Sequence, residues 1–131
     1  MRIELTKGIY KSDPARYVLE IEIELDSLIE KIEIKADTGF SGEVFLPESY
    51  SRKFDRHNIP AHRSKLILAD GQVVWGRMYP VDIKRIGEYN CDPISSFVHC
   101  YGSGFPLMGL ELLNRWICEF DGPNNYLTLF S

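Results

Sequence analysis

Apolar and polar positions alternate with a period of two through most of the chain, and this alternation predicts strands. In "YVLEIEIEL", Tyr17, Leu19, Ile21, Ile23 and Leu25 share one face while Glu20, Glu22 and Glu24 share the other, the pattern of a half-buried antiparallel strand. Asp26 and Ser27 supply turn chemistry. Leu28 to Ala36 then sets Ile32 and Ile34 against Lys31, Glu33 and Lys35, so the two runs are expected to pair as a hairpin, glutamates and lysines attracting across its polar side. Farther on, "SKLILADGQVVWGRMYPVDI" reads as a long hairpin tipped by "ADGQ", where Gly71 can take a positive φ. Pro80 predicts a bend or an edge on the returning arm. Ile94 to Cys100 suggests another strand, and "WICEF" and "YLTLF" flank the turn signal "DGPNN".

Helical signals are brief. "PESYSRKFDRHNIP" has Pro47 at a plausible first helical position, with Tyr50 and Phe54 four apart on one side. "PLMGLELLNRW" is expected to set Leu110 and Leu113 on one side of a short helix. Together these elements predict an all-β single domain with one or two short helices, a closed or strongly folded antiparallel barrel. Its 131 residues suffice to bury about two-thirds of the surface an unfolded chain exposes.

Composition removes partners rather than naming them. A net charge of −4, dispersed along the chain, gives no reason to expect nucleic acid. No apolar run approaches the ~18 residues that would span a bilayer, and "MRIELTKGIY" lacks a secretory layout, so a cytoplasmic protein without membrane contact is expected. Cys91, Cys100 and Cys118 are odd in number and lack CxxC spacing, which predicts reduced, mostly buried thiols. His57, His62 and His99 have no matching ligand spacing, "GSGF" lacks the rest of a dinucleotide motif, and the three glutamates read as a solvated strand face. No metal or cofactor is expected.

Chemistry concentrates in "IEIKADTGFSGEVFL", residues 32–46. Asp37 leaves a packed strand just where Thr38 and Gly39 let the backbone turn. An Asp-x-Gly tripeptide is by itself an ordinary turn, but its neighbours are not arbitrary. An apolar strand leads in, "VFLP" comes after it, a hairpin tipped "ADG" comes later, and "PLMGLELL" lies near the C-terminal end. That order resembles the retropepsin-like aspartic proteases (clan AA), and within them a prokaryotic single-domain branch reading Asp-Thr-Gly-Phe. The resemblance runs from Tyr17 to Phe130, so residues 17–131 are expected to form the protease-like domain and 1–16 an N-terminal strand or extension. "RIEL" in that extension could add an edge strand, or pair with "YLTLF" across a dimer.

The resemblance implies roles. Asp37 matches the catalytic aspartate, Thr38 the hydroxyl that bonds across to a partner loop, and Gly39 the residue that lets substrate approach. Leu107, Met108 and Gly109 match the segment that passes behind and supports the active-site loop. Ala69, Asp70 and Gly71 match the tip of a flap that folds over substrate. Phe40 takes the place of a small or hydroxylated residue, and Leu110 that of an arginine buttressing retroviral dimers. Trp75 and Tyr79 could reach the cleft from the flap or pack inward.

This chemistry needs two carboxylates, and the chain carries one such motif. Two copies must therefore meet, with Asp37 facing its mate on a twofold axis. Carboxylates ~3 Å apart share one proton, so the ionised member activates water while the protonated one assists the scissile carbonyl. The implied function is an aspartic endopeptidase, homodimeric, acting on an extended peptide or protein with no cofactor. The alternative is a non-catalytic peptide-binding or dimerisation module on the same fold.

Overall fold

The two alternating runs near the N-terminal end form strands β2 (Ala15–Leu25) and β3 (Leu28–Ala36), paired antiparallel with Ile21 opposite Ile32 and Leu19 opposite Ile34. Their apolar faces lie in the core, and Asp26, at φ 52°, makes the turn between them. The computed structural model describes residues 1–68 and 70–131. Its other elements are β1 (Glu4–Ser12), β4 (Val44–Leu46), α1 (Glu48–Arg56), β5 (His62–Ile67), β6 (Val73–Ile86), β7 (Tyr89–Cys100), β8 (Leu107–Met108), α2 (Leu110–Leu113), β9 (Ile117–Asp121) and β10 (Tyr126–Phe130). Among the described residues the protein is thus all-β with two short helices. The strands run in the order β5-β6-β7-β4-β8-β3-β2-β1-β10-β9, and β2 pairs additionally with β6.

That second pairing changes the polar side of the β2–β3 hairpin. Its register sets Glu20 opposite Glu33, so the ion pairs come from other strands: Arg85 of β6 reaches Glu20 at 2.6 Å, Lys84 reaches Glu24 at 3.4 Å, and Lys11 of β1 holds Glu33 at 2.6 Å. Of the expected facing pairs the register supplies Glu22 opposite Lys31, while Glu20, Glu24 and Glu33 are held by this outside set. Glu30, on the apolar face of β3, is almost fully buried and ion-paired with Lys53 of α1. A carboxylate at such a depth is tolerable because it is paired.

Pro47 caps α1 in an extended conformation, so the helix starts one residue later than the sequence suggests. Phe54 on its inner side meets Tyr79 at 4.9 Å between ring centroids, and the Tyr79 hydroxyl lies 2.7 Å from Ser51 Oγ. Tyr79 therefore belongs to the core. Trp75, on the same strand, is exposed beneath the Arg63 guanidinium, 4.2 Å from the ring centroid. Pro80 does not break β6. It falls between the β5 pairing, which ends at Met78, and the β2 pairing, which starts at Asp82, so that side of the strand is locally an edge.

β1 lies between two strands of its own chain, with Ile9 opposite Val18 of β2 and Thr6 opposite Leu129 of β10. The "YLTLF" strand thus pairs with the N-terminal strand within one molecule. In α2 the buried leucines are Leu112 and Leu113, whereas Leu110 is 38% exposed, which corrects the shared side expected for Leu110 and Leu113. The single turn is tethered at its start, Leu110 N donating to Phe40 O at 2.7 Å, and that tether sets its rotation. Among the cysteines Cys100 is buried and Cys91 and Cys118 are half-buried, all three free. Among the described residues no helix is long and apolar enough to cross a membrane.

Candidate active site

β3 delivers the chain to Asp37, and β8 fixes the loop beyond it. β8 is parallel to β3, with Lys35 level with Leu107 and Ala36 with Met108, and antiparallel to β4, with Val44 level with Met108. Asp37 N donates to Met108 O at 2.9 Å, and Gly109 N donates to Glu43 O at 2.8 Å. The loop of residues 37–43 is therefore anchored at both ends to one short strand behind it. A Cβ at position 109 would sit 2.7 Å from Phe40 O and closer still to Gly42 O, so this approach requires glycine. Glu43 adds a further anchor, its Oε2 accepting from Ser96 Oγ at 2.7 Å and Phe97 N at 2.8 Å.

Within the loop, Asp37 Oδ1 accepts from Gly39 N at 2.8 Å, while Oδ2 lies 3.6 Å from Lys35 Nζ. The Asp37 side chain is about a quarter exposed (26%). Thr38 and Gly39 are exposed, and Met108 and Gly109 are buried behind the loop. Phe40 turns inward to pack edge-on against Phe45, 6.3 Å between centroids.

Over Asp37 stands the β5–β6 hairpin, whose residues Leu66–Leu68 border two contiguous hollows of about 650 and 350 Å³. Asp37 and Leu107 line both, and Gly39 lines the larger. Lys65, His99 and Glu111 give the larger a polar wall; Phe40, Phe45, Tyr101 and Phe105 make the smaller aromatic. At the hairpin tip Gly71 adopts φ +85°, with its N–H donating to Leu68 O at 2.9 Å, and Asp70 Oδ1 accepts from Gln72 N at 2.9 Å. Both residues are exposed beyond the hollows, and Ala69 lies outside the described residues.

Lys35 and His99 are among the residues of this site that the sequence did not assign to it. Lys35 had a signal, since period two places it on the same face of β3 as Asp37. His99 had none, because its place depends on Ser64 of β5, whose Oγ lies 2.8 Å from His99 Nδ1. Burial holds the His99 pKa below the usual histidine value, against the opposing pull of Glu43 and Glu111. Among the described residues no group of three or more His, Cys, Asp or Glu side chains is arranged to hold a metal ion.

Neither a protein-family model nor a curated protein sequence matches this chain. Among solved structures it is similar to the crystal structure of a retropepsin-like aspartic protease from Rickettsia conorii, with a TM-score of 0.56 and 17% sequence identity, over 99% of this chain and 91% of that one. The fold is retropepsin-like.

Proposed function

We propose that this chain is an aspartic endopeptidase of the prokaryotic single-domain branch, a cytoplasmic homodimer in which Asp37 of each copy completes the other's acid–base pair. The observation that carries the proposal is an aspartate held by a glycine-dependent crossing of β8 and opening into a cleft beneath a hairpin. On this reading residues 17–131 form a closed barrel, the β2–β6 pairing joining its two sides, and residues 1–16 are the extension that adds β1. The fold likeness to an aspartic protease supports hydrolysis as the reaction.

An extended peptide lies between Asp37 and the hairpin, with Gly39 giving it room and the tip residues Ala69, Asp70 and Gly71 folding over it. The ionised Asp37 takes a proton from water as the water oxygen attacks the scissile carbonyl carbon. Its protonated mate gives a proton to the carbonyl oxygen, forming a gem-diol. As the gem-diol collapses, one hydroxyl returns its proton to the ionised carboxylate and re-forms the carbonyl, the C–N bond breaks, the protonated carboxyl gives its proton to the leaving amine, and the pair again holds one shared proton. Thr38, Leu107, Met108 and Gly109 position the loop.

One observation favours the second reading, a peptide-binding or dimerisation module without turnover. Lys35 lies 3.6 Å from Asp37 Oδ2, so the carboxylate has a counter-ion within its own subunit. Incubation of a mixed peptide library with wild type and with Asp37→Asn separates the two. The protease reading expects cleavage by wild type, blocked by a statine-type peptide, and loss to background in Asp37→Asn. Equal activity in both proteins removes it.

A further inference from the structure

We infer that the hollow bordering the aromatic one is a carboxylate-binding subsite centred on Arg16, selecting peptides with an acidic group a few residues from the scissile bond. The inference rests on the reading of this cleft as a peptide site and names the substrate class it takes. Lys35 and Phe105 line the aromatic hollow beside Asp37, and the same two residues line a further hollow of about 310 Å³ that is also lined by Arg16, Lys11 and the Glu33 carboxylate that holds Lys11. The two hollows therefore share a border at Lys35 and Phe105. Lys35 stands opposite Val18, and Arg16 is two residues along β2 from Val18, opposite Lys11 of β1.

Three cations meet around that hollow, and two are already matched. Lys11 is held by Glu33 at 2.6 Å, and Lys35 by Asp37 at 3.6 Å. Among the described residues Arg16 has no carboxylate partner; one of its N–H groups donates to Pro14 O at 2.7 Å, and its guanidinium lies over the Phe105 ring, 4.5 Å from the centroid. Stacking on an aromatic face orients the guanidinium plane in advance, and its remaining donors form a fork that matches a carboxylate. A net cation, half-buried, pre-oriented and lining a hollow, is built to receive an anion.

An extended peptide advances about 3.3 Å per residue, and Lys35, two residues from Asp37, borders the Arg16 hollow, which puts the subsite within a few residues of the scissile bond. In the proposed dimer each copy supplies one such subsite, so an acidic group serves on either side of the scissile bond. The carboxylate can be an Asp or Glu side chain or the end of a peptide.

Fluorescence anisotropy with Asp37→Asn, which leaves bound peptide uncut, tests the subsite apart from turnover. The probes are labelled, C-amidated peptides with an apolar centre and either Glu or Gln two, three or four residues from it, plus a Gln peptide ending at that distance in a free carboxylate. Binding of a Glu peptide about tenfold tighter than its Gln counterpart is expected. A gain for the free carboxylate shows that chain ends are also taken. Adding Arg16→Met should abolish the preference, and Arg16→Glu should transfer it to a Lys peptide, which an unfolded protein cannot do. Equal affinity for Glu and Gln peptides, no binding of either, or a preference surviving Arg16→Met overturns the subsite. Cleavage of the same peptides by wild type reads the protease proposal separately. Preference without cleavage keeps the subsite and removes the enzyme, whereas cleavage without preference does the reverse.

Discussion

Asp37 is held by contacts that a single atom can disturb. Its loop and β8 approach so closely at Gly109 that a methyl group there meets the Phe40 and Gly42 carbonyls, both backbone. Gly109→Ala is therefore expected to cost about 1–3 kcal/mol, an overpacking penalty, and to lower Tm by several degrees in a thermal melt. His99 carries a different liability. Burial depresses its pKa in the folded protein, so below the unfolded value near 6.5 the unfolded chain binds more protons. Its contribution is fully present above that pH and is lost as pH falls from there through the folded value. Urea midpoints measured at pH 7.5 and 5.5 should drop for wild type and drop less for His99→Gln, which keeps a polar group for Ser64 but cannot take up the proton. Cys100, its neighbour on β7, is pushed up to about 12 by burial and stays a thiol across this range.

At the scale of elements the β5–β6 hairpin presents apolar side chains toward a cleft it does not fill. Ile67 borders both hollows yet is 70% exposed, and covering such a side chain stabilises a complex by about 1.5–3 kcal/mol. Ile67→Ser is expected to weaken peptide binding by about tenfold, read by anisotropy, while changing Tm little, because the residue is mostly exposed and its one cross-strand partner is Val73 near the hairpin tip. How far these elements could be read in advance depended on length and patterning. β2 and β3 carry long alternation and were legible, as were the hairpin tip at Gly71 and the turn before β10. β7 extends back to Tyr89, a stretch where Asp92 and Pro93 conceal alternation, and it forms by pairing with β6. β8 is two residues long; no periodicity exists at that length, and only the resemblance pointed to its place behind the Asp37 loop.

For the whole molecule the decisive proposal is the dimer. Asp37 can face its mate only if the twofold axis passes beside the 37–43 loop, and Leu110, tied to that loop through Phe40 O, then lies near the axis with its apolar side chain exposed. Light scattering is expected to give twice the 15.1 kDa chain mass. Leu110→Asp should shift that mass toward one chain and reduce peptide cleavage together, with the circular-dichroism spectrum unchanged. A wild-type protein that stays a single chain at working concentration contradicts the proposed reaction.

By itself the sequence determined which side chains share a face in β2 and β3, where the chain turns, and that one carboxylate comes directly after a packed strand. These properties are local, because a strand's side chains alternate by backbone geometry and a turn needs a few residues of the right type. Tertiary structure decided the partners: β1 inserted between β2 and β10, β6 carrying the cations for the glutamates of β2, Lys53 paired with the buried Glu30, and Lys35, Phe105 and Arg16 gathered around one hollow. Each of these contacts joins residues far apart in the chain, where alternation leaves many pairings open and the shared burial of a core selects one.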